Sequence, residues 1–119
     1  MALQVVIVDD HASFRRFARL LLLAAGFDVV GEAAGAETAR ALIALLHPDA
    51  VLLDVMLPDG SGLDVARELT GEPGSPRVVL TSSRSRSDFA GSFDLPGGCT
   101  FIAKHELSGP ALAELLRGT

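Results

Sequence analysis

The sequence predicts an α/β fold, a doubly wound sheet of five parallel strands in one domain spanning residues 1–119, and three observations carry that prediction. Short β-branched apolar runs recur near residues 3–8, 28–33, 50–53, 77–81 and 99–103. Stretches of helical period separate them, and reactive polar residues follow four of the five runs. Strands that alternate with helices imply parallel pairing through crossovers, with both faces of the sheet covered.

The first run, within VVIVDDH at residues 5–11, reads as a buried strand ending at Asp9 and Asp10. Two adjacent anions repel, a cost most readily tolerated where a divalent metal binds between them; the alternative is that one aspartate caps the next helix. In that helix Phe14, Phe17, Ala18, Leu21, Leu22 and Ala25 follow one buried face, Arg15, Arg16 and Arg19 point elsewhere, and Gly26 ends it as a left-handed cap. The second helix buries Ala39, Leu42, Ile43 and Leu46 and closes at His47 and Pro48. The last begins near Ser108, Gly109 and Pro110, with Leu112, Leu115 and Leu116 facing inward. Between Ser82 and Gly98, SSRSRSDFAGSFDLPGG is rich in Ser and Gly and allows only a short or irregular fourth helix.

Composition narrows the function. At 119 residues and 49% apolar, the chain has enough material for one core. Ten basic against 15 acidic residues leave a net charge of −5, which argues against direct binding of nucleic acid or anionic membrane. Cys99 is the single cysteine, which suits a reducing cytoplasm; no secretory leader and no apolar stretch long enough to span a bilayer is expected.

In a doubly wound sheet, ligands gather beyond the carboxyl ends of the strands. Those ends carry Asp9 and Asp10 after the first strand, Asp54 after the third, Thr81 after the fourth and Lys104 after the fifth. Singly, each reads as a turn or a solvated surface residue. Together, three carboxylates can bind Mg²⁺, a hydroxyl and an ammonium can hold an anion beside it, and Asp54 is the central carboxylate able to act as nucleophile. In MLPDGSG, Pro58 fixes a turn, and Gly60 or Gly62 relaxes the backbone beside Asp54.

These residues, with VLLDVMLPDGSGLD at 51–64, VVLTS at 78–82 and FIAK at 101–104, make nearly the whole chain resemble the receiver (CheY-like) domains of two-component response regulators. VDDH and the Arg-rich helix after it are most similar to the NarL/LuxR-type receivers, which precede a helix-turn-helix domain. The resemblance implies the flavodoxin-like strand order 2-1-3-4-5. It implies that Asp54 is the phosphoacceptor, that Asp10 and Asp54 bind Mg²⁺ (or Mn²⁺) directly with the Met56 carbonyl, and that Asp9 acts mostly through water. Thr81 would turn toward the phosphoryl group, Lys104 would pair with it, and Met56 and Ser83 would flank the path of attacking water. Phe101 stands where Tyr is usual in the family and would follow Thr81 as a switch; otherwise it is an ordinary core residue. His105 follows Lys104 where many receivers have proline, and residues 82–98 replace the usual Ala-rich fourth helix.

The implied function is a signalling domain, not an enzyme on other molecules, that catalyses its own phosphorylation and dephosphorylation. The donor would be a sensor histidine kinase or acetyl phosphate. Phosphorylation would switch the surface of the fourth strand, fourth helix and fifth strand and control transcription through a fused or partner effector. DNA would be reached only through such an effector domain, absent from this chain, and a homodimer is compatible. A phosphorylation-independent interaction module is the alternative reading. A phosphatase of the haloacid dehalogenase type is disfavoured, because it needs a second Asp where Met56 stands.

Overall fold

The computed structural model describes residues 2–83 and 95–117. Most of the Ser/Gly-rich segment, and with it the expected fourth helix, lies outside the described residues. The elements in chain order are β1 (Gln4–Val8), α1 (Ala12–Ala24), β2 (Asp28–Ala33), α2 (Ala36–Leu46), β3 (Ala50–Asp54), a small hairpin of β4 (Met56–Leu57) and β5 (Gly60–Ser61), α3 (Gly62–Leu69), β6 (Arg77–Ser82), β7 (Cys99–Ala103), a 3₁₀ turn (Lys104–Glu106) and α4 (Gly109–Arg117). The main sheet runs β2-β1-β3-β6-β7, every pair parallel. Counting only its five strands, this is the predicted order 2-1-3-4-5.

The three central strands, β1, β3 and β6, are buried on both faces, and their two-residue period divides the core. Val6, Val8, Val51, Leu53, Val78 and Leu80 pack against Ala36, Ala39 and Ile43 of α2 and Val65 and Ala66 of α3. The intervening Val5, Ile7, Leu52 and Val79 pack against Ala18 and Leu22 of α1 and Leu112 and Leu116 of α4. A one-residue slip of any strand would exchange the two sets, so register is strongly held. That register aligns the carboxyl ends: Val8 lies opposite both Ala33 and Leu53, and Asp54 opposite Thr81.

Helix ends follow local chemistry. After α1, Gly26 takes φ 92°, its N–H donating to the Leu23 carbonyl (3.1 Å) and that of Phe27 to the Leu22 carbonyl (3.0 Å), the paired bonds of a Schellman turn. His47 closes α2 in the left-handed region (φ 47°) ahead of Pro48, and Ser61 and Ser108 cap α3 and α4 through Oγ. Phe17 departs from expectation, being 47% exposed. The stripe facing the sheet centres on Ala18 and Leu22, and Phe17, about 100° round the helix from Ala18, is left on its border against Phe14. No peptide bond among the described residues is cis, and residues 104–106 turn directly after β7.

Candidate functional site

The chain crosses from β1 to β2 on one side and then from β2 back past β1 to β3 on the other, so the crevice beyond Val8 and Asp54 is the point where strand order reverses. A cleft of about 610 Å³ opens there, and Asp10, Asp54, Met56, Ser83 and Lys104 all line it.

The two aspartates after β1 have different surroundings. Asp9 is fully buried, its N–H continuing the ladder to the Ala33 carbonyl (3.0 Å). Its Oδ1 accepts from the His11 N–H (2.8 Å), and its Oδ2 lies 2.6 Å from Lys104 Nζ. Neither aspartate is the α1 N-cap; His11 holds that position, without a side-chain cap bond. Asp10 turns outward, its side chain 35% exposed at the cleft.

Asp54 is 4% exposed. Its Oδ1 accepts from the Met56 N–H (3.1 Å) and its Oδ2 from Lys104 Nζ (3.3 Å). One ammonium thus joins two buried carboxylates and sits closer to Asp9, with its other side over the Phe14 ring, 4.3 Å from the centroid. Burial, and after it the charge of Asp9, push the Asp54 carboxyl up to about 6 against the opposing Met56 N–H and Lys104 charge. Burial also acts on Asp9, but the Lys104 and His11 hydrogen bonds outweigh it and hold that carboxyl below its ordinary value. The Lys104 ammonium, disfavoured by burial, is held charged by the two carboxylates, so its pKa lies above the ordinary value.

A raised acid pKa means that the folded protein prefers the protonated form, so Asp54 costs no stability below the unfolded value of 3.8 and an increasing amount as pH rises toward about 6. We expect Asp54→Asn to melt several degrees higher than wild type in metal chelator above about pH 6, with the gap closing near pH 3. Thermal melts across this range check it; a gap independent of pH would assign the effect to packing.

The loop after Asp54 is anchored at two glycines. A Cβ on Gly62 would stand 2.0 Å from the Asp54 carbonyl oxygen and 2.9 Å from Val55 Cα, while the Gly62 N–H donates to the Val55 carbonyl at 2.7 Å. Of the two glycines that the sequence left open, this one is required by close approach; a Cβ on Gly60 would meet only Ala36 Cβ at 3.5 Å. Between β4 and β5, Asp59 accepts from the N–H groups of Ala36 (2.6 Å) and Glu37 (3.1 Å) and so caps α2 from across the fold. Gly35, the α2 N-cap, has no side chain to do this, and a Cβ there would lie 2.8 Å from Asp59 Oδ1. Those two N–H bonds hold the Asp59 carboxyl below its ordinary value.

The structure therefore brings together Asp9, Asp10, Asp54, Met56, Ser83 and Lys104. Thr81 is fully buried beside Asp54 in register, its Oγ1 without a hydrogen-bond partner among the described residues. Phe101 lies off the cleft in β7, opposite Leu80, half-buried against the core on the α2 and α3 side. Sequence reasoning missed His11 and Asp59 and read Phe14 only as a core residue; only His11 carried a usable signal, an imidazole directly after paired carboxylates. Asp9, Asp10, His11 and Asp54 each place a ligand atom within 4.8 Å of the others. A donor set dominated by carboxylates fits a hard divalent cation such as Mg²⁺.

Sheet order and acidic crevice together define an α/β domain of the receiver type. The chain belongs to the response regulator receiver domain family, whose model matches residues 5–116. It is 40% identical over 90 residues to the DNA-binding response regulator MtrA of Mycolicibacterium paratuberculosis, covering 74% of this chain and 39% of that protein. The chain thus spans about two-fifths of that relative's length. Similar solved structures include a LuxR-family response regulator from Aurantimonas (TM-score 0.83, 27% identity, 99% of this chain and 84% of that one). Another is the receiver domain of the response regulator NarL from Mycobacterium tuberculosis (TM-score 0.79, 28% identity, 99% and 98%). Among the described residues no helix is long and apolar enough to cross a membrane.

Proposed function

We propose that this receiver domain is a phosphorylation switch whose acceptor is Asp54. The observation that carries the reading is the buried Asp9–Lys104–Asp54 bridge opening onto a cleft that Asp10 also lines. An Asp54 carboxylate oxygen attacks phosphorus of a phosphohistidine on a sensor kinase or of acetyl phosphate. The new O–P bond forms as the donor's N–P or O–P bond breaks, and the released imidazole or acetate carries away the donor's electron pair. Lys104, already charged and within reach of Asp54, pairs with the incoming phosphoryl oxygens. The Thr81 hydroxyl, without a hydrogen-bond partner among the described residues, is available to hydrogen-bond the same group.

Asp10, Asp54 and the Met56 carbonyl would hold Mg²⁺ (or Mn²⁺), with Asp9 acting through water because it is sealed behind Lys104. When bound, the ion neutralises charge that gathers during transfer. Drawing Thr81 toward the phosphoryl group would vacate space beside β7 and let Phe101 respond, carrying the signal toward an effector, fused or separate, that binds DNA. Beryllofluoride with Mg²⁺ tests the reading: it should bind, and shift the amide signals of Thr81 and Phe101, in wild type but not in Asp54→Asn. Equal binding by both proteins would place the acceptor elsewhere.

Met56 lines the cleft two residues after Asp54 and is 57% exposed, so its apolar side chain shields one side of an acyl phosphate while small Ser83 leaves the other open. Met56→Asn should shorten the phosphorylated lifetime several-fold, followed by intact mass after donor removal. An unchanged decay would exclude Met56 from the water path.

A further inference from the structure

His11 lines the cleft, yet phosphoryl acceptance assigns it no task. Its Nδ1 lies 3.1 Å from Asp9 Oδ1 and 3.1 Å from Asp10 Oδ1, while Asp54 completes a group of ligand atoms all within 4.8 Å of one another. Two neighbouring ligands of an octahedral ion with bonds of about 2.1 Å stand about 3 Å apart, and opposite ones about 4.2 Å. The 3.1 Å contacts are hydrogen-bond contacts of the ring, and the same spacing would suit neighbouring ligands of an ion that took the place of the shared proton. Although His11 is the α1 N-cap, its side chain makes no bond to the helix; its Nδ1 is instead hydrogen-bonded to Asp9 Oδ1, and 65% of the side chain is exposed at the cleft.

We propose that His11 is a nitrogen ligand at this cleft, and that it makes the domain prefer octahedral transition-metal ions such as Ni²⁺, Co²⁺ and Mn²⁺ over Mg²⁺. Mg²⁺ takes oxygen donors and gains little from an imidazole, whereas affinity for a mixed nitrogen and oxygen set rises from Mn²⁺ through Co²⁺ to Ni²⁺. This rests on the acidic cleft being the metal site of the proposed switch, and it adds a ligand and a selectivity to it. The backbone position of His11, at the turn from β1 into α1, fixes the ring at the mouth of the cleft, where it reaches an ion without displacing the buried Lys104 bridge.

Calorimetric titrations of tag-free protein with MgCl₂ and with NiCl₂, repeated on His11→Gln and His11→Asn, test the assignment. We expect Ni²⁺ to bind wild type more tightly than Mg²⁺, and both variants to lose about 10-fold or more in Ni²⁺ affinity while Mg²⁺ affinity stays within about twofold. With Co²⁺, a paramagnetically shifted imidazole proton should appear in wild type and vanish in both variants. Unchanged Ni²⁺ affinity in the variants, or equal losses for Ni²⁺ and Mg²⁺, would overturn the role of His11 while leaving the acceptor reading intact. Failure of wild type to bind either ion would instead remove the metal site on which both rest.

Discussion

Incubated with Mg²⁺ and acetyl phosphate, the domain should gain a single phosphoryl group, and Asp54→Asn should gain none. Three carboxylates compete for that role, and their surroundings separate them. Asp9 is fully enclosed, and its Oδ2 is committed to Lys104 at 2.6 Å, so an incoming phosphorus has no approach. Asp10 is the most open but has no ammonium beside it to receive the transferred charge, since the contacts of Lys104 run to Asp9 and Asp54. Asp54 combines access to the cleft, an N–H from Met56 fixing one oxygen and Lys104 at the other. Lys104→Ala should slow labelling by about 10²-fold or more, the usual loss when a charge-stabilising group is removed. Intact mass and peptide mapping after acid quench provide the measurement. Labelling of Asp54→Asn at the wild-type rate would sink the assignment.

Gly62→Ala should be among the most damaging single-methyl additions in the chain. The added carbon would sit 2.0 Å from the Asp54 carbonyl oxygen, and the Asp54 carbon and Val55 Cα are both 2.9 Å away, so the colliding atoms are backbone and cannot rotate aside. Relief requires pulling α3 from β3, which stretches the 2.7 Å Gly62 to Val55 hydrogen bond and moves Asp54 itself. We expect a loss of about 4 kcal/mol or more, a large share of the roughly 5–15 kcal/mol that holds a domain together. Gly60→Ala, meeting only a methyl at ordinary contact distance, should stay within about 1 kcal/mol. Urea unfolding of the two variants decides the matter, and similar midpoints would contradict the close approach at Gly62.

Much of this arrangement is legible before any coordinates. The runs VVIV, AVLL and VVL (residues 78–80) are β-branched or aliphatic throughout, and such segments buried on both faces leave little freedom to be anything but central strands. The hairpin of Met56–Leu57 and Gly60–Ser61 is not legible as strand, because two residues a side are too few for a period of two to register. Phe17 was misjudged because a helix with many apolar residues has more candidates than its sheet-facing stripe can seat. At the cleft, residue types at strand ends predicted which groups meet. That Lys104 lies nearer Asp9 than Asp54, and that Phe14 covers its other side, depends on side-chain directions across β1, β3 and β7 that no spacing encodes.

The bond from Asp59 to the start of α2 has a consequence for how this sequence can change over generations. Gly35 and Asp59 occupy one volume between them, because the carboxylate fills the space that a side chain at position 35 would need. A mutation at 35 to a residue that cannot cap, arriving first, displaces the carboxylate and forfeits its bonds to Ala36 and Glu37, so it pays twice, in crowding and in an uncapped helix. If Asp59 is lost first, only the cap goes, and a later Ser or Asn at 35 can restore it from the ordinary N-cap position. Descendants of this sequence therefore have a one-way path away from the present pairing: position 59 is released before position 35.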